Sequence, residues 1–70
     1  MAESVYKMIE LVGTSPESWE AAARAAVERA GSTLRDLRIA EVEKLDMTVD
    51  ANKVALYRAR VKISFKYEEG

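Results

Sequence analysis

Oxygen-bearing side chains recur at every second position in the middle of the chain, a spacing that could gather the ligands of a metal ion. Asp46, Asp50 and Asn52 belong to this row, together with Thr48. Calcium and magnesium prefer such oxygen ligands, but the row lacks the central glycine and terminal glutamate of an EF-hand loop. A hairpin turn explains Asp50 and Asn52 equally well. A calcium or magnesium site at Asp46, Asp50 and Asn52 is therefore an alternative hypothesis.

Hydroxyl and carboxylate groups are present, but the groups that usually activate them are not. The chain contains no histidine and no cysteine, which removes imidazole bases, thiolate nucleophiles, disulfides and most zinc sites. Ser15 and Ser18 have no histidine partner. Glu41 and Glu43 have no apolar pocket in the sequence that would separate their pKa values. We predict a protein that is not an enzyme.

Basic residues alternate with apolar ones near the carboxyl end. Arg58, Arg60 and Lys62 are separated by Ala59 and Val61, so one face of a strand is basic and the other is apolar. Binding of single-stranded RNA needs exposed aromatic rings between the cations, whereas the aromatic residues of this strand have the opposite parity. A solvated or ion-paired basic face is favoured.

Acidic residues of the preceding strand supply partners for this basic row. If the hairpin closes at Asp50, Glu41 falls opposite Lys62 and Glu43 falls opposite Arg60. Unlike charges opposite each other on one face stabilise a pair of strands. The net charge of −1 adds no general attraction to nucleic acid or to an anionic membrane.

The composition predicts one small folded domain over residues 1–70. The 70 residues are 49% hydrophobic and 33% charged, which is too apolar for disorder and too charged for a membrane span. The first residues show no basic stretch followed by a long apolar run, so we expect no signal peptide, no membrane partner and a cytoplasmic location.

Turn and capping residues divide the chain into four elements. The predicted strands cover residues 4–12, 37–49 and 54–67, and the predicted helix covers residues 16–30. Ser15 before Pro16 fits a helix start, and the alanines that follow allow the helix to approach a sheet closely. Asp50 to Lys53 joins the last two strands as a hairpin. Trp19 lies on the apolar stripe of the helix and is expected in the core or at an interface.

The lengths of these elements predict association between copies. A strand of about 14 residues spans about 46 Å, whereas a helix of about 15 residues spans only about 22 Å. The helix cannot cover the apolar face of the sheet, and small domains without disulfides or metals often depend on association. We therefore expect copies of the chain to complete each other's core.

Three stretches of this sequence are similar to the dodecin family. They are VYKMIELVGTSPESWEAA, TLRDLRIAEV and YRARVKISFKYE, and the resemblance runs from Val5 to Glu68. It implies an α+β fold in which a β-α-β-β protomer wraps a three-stranded antiparallel sheet partly around one helix. It also implies that twelve copies close into a hollow homo-dodecamer.

The resemblance further implies a ligand. Family members typically bind and store flavins such as riboflavin or FMN, stacked between tryptophans of symmetry-related protomers and hydrogen-bonded by a glutamine. This sequence has Ile39 where the tryptophan is expected and Arg58 where the glutamine is expected. Isoleucine has no π-face and arginine has no acceptor, so flavin binding is weakened.

The sequence thus predicts a dodecin-like shell that stores or sequesters a small ligand without catalysis. Ile39 and Arg58 are the candidate flavin contacts, with Glu41 and Arg60 as neighbours on the same face. The alternative is a shell that binds calcium or another divalent ion, or that is purely structural. The expected partners are other copies of the chain and a small molecule, and not nucleic acid.

Overall fold

The computed structural model describes residues 3–67, which form one three-stranded sheet and one helix. The elements are strand β1 (Tyr6–Ser15), helix α1 (Trp19–Gly31), strand β2 (Leu37–Asp50) and strand β3 (Lys53–Lys66). The strands lie in the order β1-β3-β2, and both neighbouring pairs are antiparallel. The predicted β-α-β-β order is confirmed.

The helix packs on one face of the sheet through its smallest side chains. Ala22, Ala26 and Ala30 are buried, at positions four residues apart that share one side of the helix. They meet the central strand, where the largest buried side chains are those of Val61 and Ile63. The alanine-rich helix therefore sits close to β3, as its composition predicts.

Gly13 lies inside β1 and does not end it. The sequence predicts that the strand stops at Val12, because a glycine and turn residues follow. The structure corrects this: β1 continues to Ser15, and a Cβ atom on Gly13 would lie 2.0 Å from the carbonyl oxygen of Ala22. Glycine is present because the helix backbone passes directly over the strand.

The helix begins one turn later than predicted. Ser18 is its N-cap, and the Ser18 side chain accepts a hydrogen bond from the Ala21 backbone N–H. Ser15, the predicted cap, instead accepts from the Glu17 N–H at 3.0 Å, which closes a small serine turn before the helix. Both serines suit a helix cap by residue type, so the sequence alone did not show which of them caps the helix.

Three bulges set the register between β2 and β3. Arg38, Glu43 and Ala55 are each left without a Cα partner across the pair. The bulge at Ala55 shifts the pairing by one residue, and the bulge at Glu43 shifts it back. Glu41 therefore lies opposite Lys62 as predicted, but the predicted pairing of Glu43 with Arg60 is wrong.

The protomer is elongated, with extents of 55 × 20 × 15 Å. The helix covers the part of the sheet where β1, β3 and β2 lie side by side, and β2 stays largely exposed along its length. The predicted mismatch between helix and sheet is confirmed. Within residues 3–67, no helix has the length and apolarity needed to cross a membrane.

Candidate functional site

The sheet face turned away from the helix carries all four candidate flavin contacts. We call it the open face. Alternate residues of β3 point to it, namely Arg58, Arg60, Lys62 and Ser64, and the register with Ser64 and Lys62 brings Ile39 and Glu41 to the same face. The opposite parity of β3 is buried under the helix.

A cavity of about 410 Å³ opens at one end of the open face. Its lining residues are Tyr6, Met8, Arg38, Ile39, Glu41 and Ser64. Ile39 is 67% exposed there, because the bulge at Arg38 turns it to this face. The side chains form a mainly apolar floor with one cation and one carboxylate at the rim, a combination that suits a small ligand with a flat or apolar body.

Arg58 lies far from this cavity and is already paired. Its Nε and Nη2 atoms donate to the two carboxylate oxygens of Asp46 at 2.7 and 2.8 Å. The hydrogen bond from Arg58 lowers the pKa of Asp46, and the same bond raises the pKa of Arg58. This bidentate geometry is the strong form of an arginine–carboxylate pair, and it uses two of the donors that a ligand would need.

Within one chain, the four candidate contacts form two separate pairs. Ile39 and Glu41 line the cavity, whereas Arg58 and Arg60 lie further along the same face. Arg58 is six residues from Ser64 on β3, which corresponds to about 20 Å. Ile39, which lies opposite Ser64, and Arg58 are therefore too far apart for one small ligand to contact both within a single chain.

Charged residues of three strands meet at the centre of the open face. Lys62 lies between Glu10 on β1 and Glu41 on β2 in the register, and its Nζ is 3.0 Å from the Glu43 carboxylate. Hydrogen bonding with Glu10 and then with Lys62 lowers the pKa of Glu43, and donation to the Glu43 carboxylate raises the pKa of Lys62. The predicted acidic compensation of the basic row is confirmed, with Glu43 bound to Lys62.

The candidate metal ligands do not converge within one chain. Asp46 is held by Arg58, while Asp50 and Asn52 lie at the hairpin turn several residues further along β2. Asn52 and Ala51 are both left-handed, with φ of 63° and 51°, as a tight two-residue turn requires. Among residues 3–67 no three acidic side chains are close enough together to hold an ion.

The sequence matches one family model, that of dodecin, over residues 5–68. The chain belongs to the dodecin family. It is 49% identical over 63 residues to calcium dodecin of Mycobacterium tuberculosis, which covers 90% of this chain and 89% of that relative. It is 45% identical over 65 residues to dodecin of Thermus thermophilus, which covers 93% and 94%.

The fold agrees equally well with a solved dodecin. The structure of dodecin from Streptomyces coelicolor superposes with a TM-score of 0.93 at 37% identity and covers 100% of both chains. Dodecins are non-enzymatic ligand-binding proteins that form dodecamers. The predicted family, the fold class and the absence of enzymatic activity are thereby confirmed.

Several contacts on the open face were not predicted from the sequence. Tyr6, Met8 and Arg38 line the cavity, and Asp46 is the partner of Arg58. Tyr6 and Met8 alternate in β1 with residues that face the helix, so the alternation of side chains along β1 could have placed them on the open face. The pairing of Asp46 depends on the bulge at Ala55, and no residue type in the sequence marks that bulge.

Proposed function

We propose that this dodecin is a non-catalytic, homo-dodecameric ligand-binding shell of the calcium type, and that it does not store flavin. The observation that carries the proposal is Ile39, which stands in the cavity of the open face at the position where the resemblance expects a stacking tryptophan. An aliphatic side chain offers contact area but no aromatic face for a flavin ring.

Arg58 supports the same proposal. The resemblance expects at this position a side chain that hydrogen-bonds a flavin edge, whereas here the guanidinium is bound to Asp46 through two hydrogen bonds. Releasing Arg58 would leave the Asp46 carboxylate without its partner. The 49% identity to calcium dodecin points in the same direction.

A calcium ion in this shell would bind between chains. The candidate donors Asp46, Asp50 and Asn52 are too far apart within one chain to form a site of their own, and among residues 3–67 no other acidic group of three replaces them. Copies related by symmetry bring equivalent oxygens together around the axes of a closed assembly. Calcium needs six to eight such oxygens.

A flavin store is the second candidate, because the cavity of about 410 Å³ with Tyr6, Met8 and Ile39 in its lining suits a flat, apolar ring system. One pair of titrations separates the two functions. We expect calcium to raise the melting temperature of the chelator-treated assembly, since a ligand stabilises the state that binds it. We expect the fluorescence of riboflavin and FMN to stay unquenched at micromolar protein.

One result would reverse the proposal of a calcium-binding shell. Quenching of flavin fluorescence by the unmodified protein, without any response to calcium, would establish the flavin store instead. The double variant Ile39→Trp and Arg58→Gln is the positive control, since it restores the stacking ring and the amide. The single variant Arg24→Gln removes an exposed helix charge that is not among the candidate contacts, and it serves as the control.

A further inference from the structure

The hairpin of β2 and β3 extends beyond the rest of the protomer. β1 ends at Ser15, which pairs with Tyr57, and α1 begins at Trp19, whose Nε1 donates to the backbone oxygen of Asp46 at 3.0 Å. Past this level only β2 and β3 pair, through residues 47–56, which we call the hairpin arm. An isolated two-stranded hairpin is only marginally stable in water, so the arm needs a surface on which to pack.

One face of the hairpin arm is apolar and unshielded. Met47, Val49 and Val54 are 44%, 65% and 50% exposed. Val49 pairs with Val54, and Met47 pairs with Tyr57, so the three side chains continue the helix-side face of the sheet past the end of the helix. A contiguous exposed apolar row of this kind marks a protein interface.

A matching apolar groove lies at the base of the arm, between α1 and β2. Its volume is about 270 Å³, and its lining residues are Trp19, Glu20, Ala23, Val42 and Leu45. Trp19 is fixed by its hydrogen bond to Asp46 and by an edge-on contact with Tyr57, with ring centroids 5.1 Å apart. The groove is therefore formed before any partner arrives.

The arm cannot fill the groove of its own chain, because its two strands start beside that groove and extend away from it. The partner must be another molecule, and the family to which the chain belongs forms dodecamers. Each copy carries one arm and one groove, and a contact between two different patches generates closed rings when its rotation closes. A second copy of this chain satisfies both the arm and the groove.

We propose that the hairpin arm of one copy packs into the α1–β2 groove of the next copy, with Val49 and Val54 covering Trp19. This inference rests on the proposed dodecamer and names the surfaces that build it. The chain contains no cysteine and one tryptophan, so both surfaces can be probed without background from other residues.

Cross-linking tests the contact directly. The variant carrying both Ala23→Cys and Val49→Cys, treated with a short bis-maleimide, is expected to give a ladder of covalently joined chains. The matched control carries Ala23→Cys and Val12→Cys, because Val12 is an exposed valine on the open face, and it is expected to remain at single-chain mass. Light scattering is measured on both proteins first.

The results separate this inference from the assembly itself. An assembled protein in which the Val49 variant fails to cross-link, or cross-links no better than the Val12 control, overturns the arm-in-groove contact and leaves the dodecamer intact. A protein that stays a single chain overturns both.

The emission of Trp19 gives a second readout on the unmodified protein. Packing of the arm over the indole is expected to shift its emission to shorter wavelength and to reduce acrylamide quenching at least twofold relative to dissociated chains. Val49→Lys is expected to lower the mass and expose Trp19 while circular dichroism retains the strands, and Val49→Ile is expected to change neither. Equal quenching of Trp19 in assembled and dissociated protein would contradict the proposal.

Discussion

Gly13 is the residue on which the close packing of helix and sheet depends most directly. A methyl group there would lie 2.0 Å from the carbonyl oxygen of Ala22 and 3.2 Å from the Ala26 side chain. The first of these atoms belongs to the helix backbone and cannot move aside as a flexible side chain would. We expect Gly13→Ala to lower the free energy of unfolding by about 3 kcal/mol, the upper part of the usual range for overpacking.

Gly31 provides the matched control for this substitution. A Cβ atom there would meet only the Leu37 side chain at 3.5 Å, which is an ordinary contact. Gly31→Ala is expected to leave the stability unchanged or to raise it slightly, since alanine favours a helix. Urea unfolding of both variants checks this. A Gly13→Ala protein as stable as the parent would mean that the helix lies further from β1 than described.

The pair of Asp46 and Arg58 predicts a dependence of stability on acidity. The hydrogen bond from Arg58 lowers the pKa of Asp46 below its ordinary value of 3.8. A carboxyl group with a lowered pKa in the folded state adds stability above its unfolded pKa, and this stability is lost as the pH falls through the folded pKa. Asp46→Asn should therefore lower the melting temperature above about pH 4 and matter progressively less below it.

A pH series of thermal melts checks this prediction. Arg58→Met removes the other partner and is expected to give the same profile, whereas Arg24→Met removes an exposed helix charge and is expected to leave the profile unchanged. A difference between parent and Asp46→Asn that stays constant down to about pH 2 would show that the ion pair does not form.

The alternation of side chains along the strands predicted more of the site than the residue types did. Alternation along β3 placed Arg58, Arg60 and Lys62 on one face, and the structure has them there. The partner of Arg58 was not predictable, because counting back from the turn without a bulge puts Leu45 opposite it. One extra residue at Ala55 exchanges that apolar neighbour for Asp46.

The start of α1 is the clearest prediction at the scale of elements. Ser18 caps the helix by accepting from the Ala21 N–H at 3.0 Å. Ser18→Ala is expected to lower the free energy of unfolding by about 1 kcal/mol, and Ser4→Ala, at an exposed position before β1, is expected to have no effect. Chemical denaturation measures both. Equal stability of the two variants would contradict the cap.

The turn between β2 and β3 carries backbone strain that can be relieved. Ala51 has a φ of 51°, a left-handed conformation that costs about 1–2 kcal/mol for a residue with a Cβ atom. Ala51→Gly is expected to raise the stability by about 0.5–1 kcal/mol, after allowance for the greater freedom of glycine in the unfolded chain.

Ala25, which is exposed in the middle of α1, is the control for that substitution. Ala25→Gly should lower the stability by about 1 kcal/mol, since glycine is unfavourable in a helix. Opposite shifts in melting temperature for the two Ala→Gly variants are the expected result. A decrease for both would mean that Ala51 is not left-handed in solution.

The order and type of the four elements could be predicted because each has its own spacing of apolar residues and is bounded by turn or capping residues. The exact bounds of β1 and α1 could not, because Gly13 has a tertiary role and Ser15 resembles a cap. The bulges at Arg38 and Glu43 could not be predicted from the sequence either, because charged residues occur at regular strand positions as readily as at bulges. These bulges decide which face Ile39 and Glu43 occupy.

For the whole molecule, the unequal lengths of helix and hairpin have the largest consequence. The helix has 13 residues and spans about 20 Å, whereas the longest strands have 14 residues and span about 46 Å. Apolar side chains from Val42 to Val54 therefore remain exposed. We expect neighbouring copies to cover them, whereas the candidate ligand contacts lie on the opposite, open face of the sheet. We therefore expect the core of this dodecin to depend on assembly.

The molar mass in dilute solution is the most direct measurement of this dependence. Light scattering or native mass spectrometry at low micromolar concentration should give about twelve times the chain mass of 7.8 kDa, the stoichiometry of dodecamers. A folded protein that remains at 7.8 kDa under these conditions would show that the hairpin and the helix need no partner, and would contradict the account.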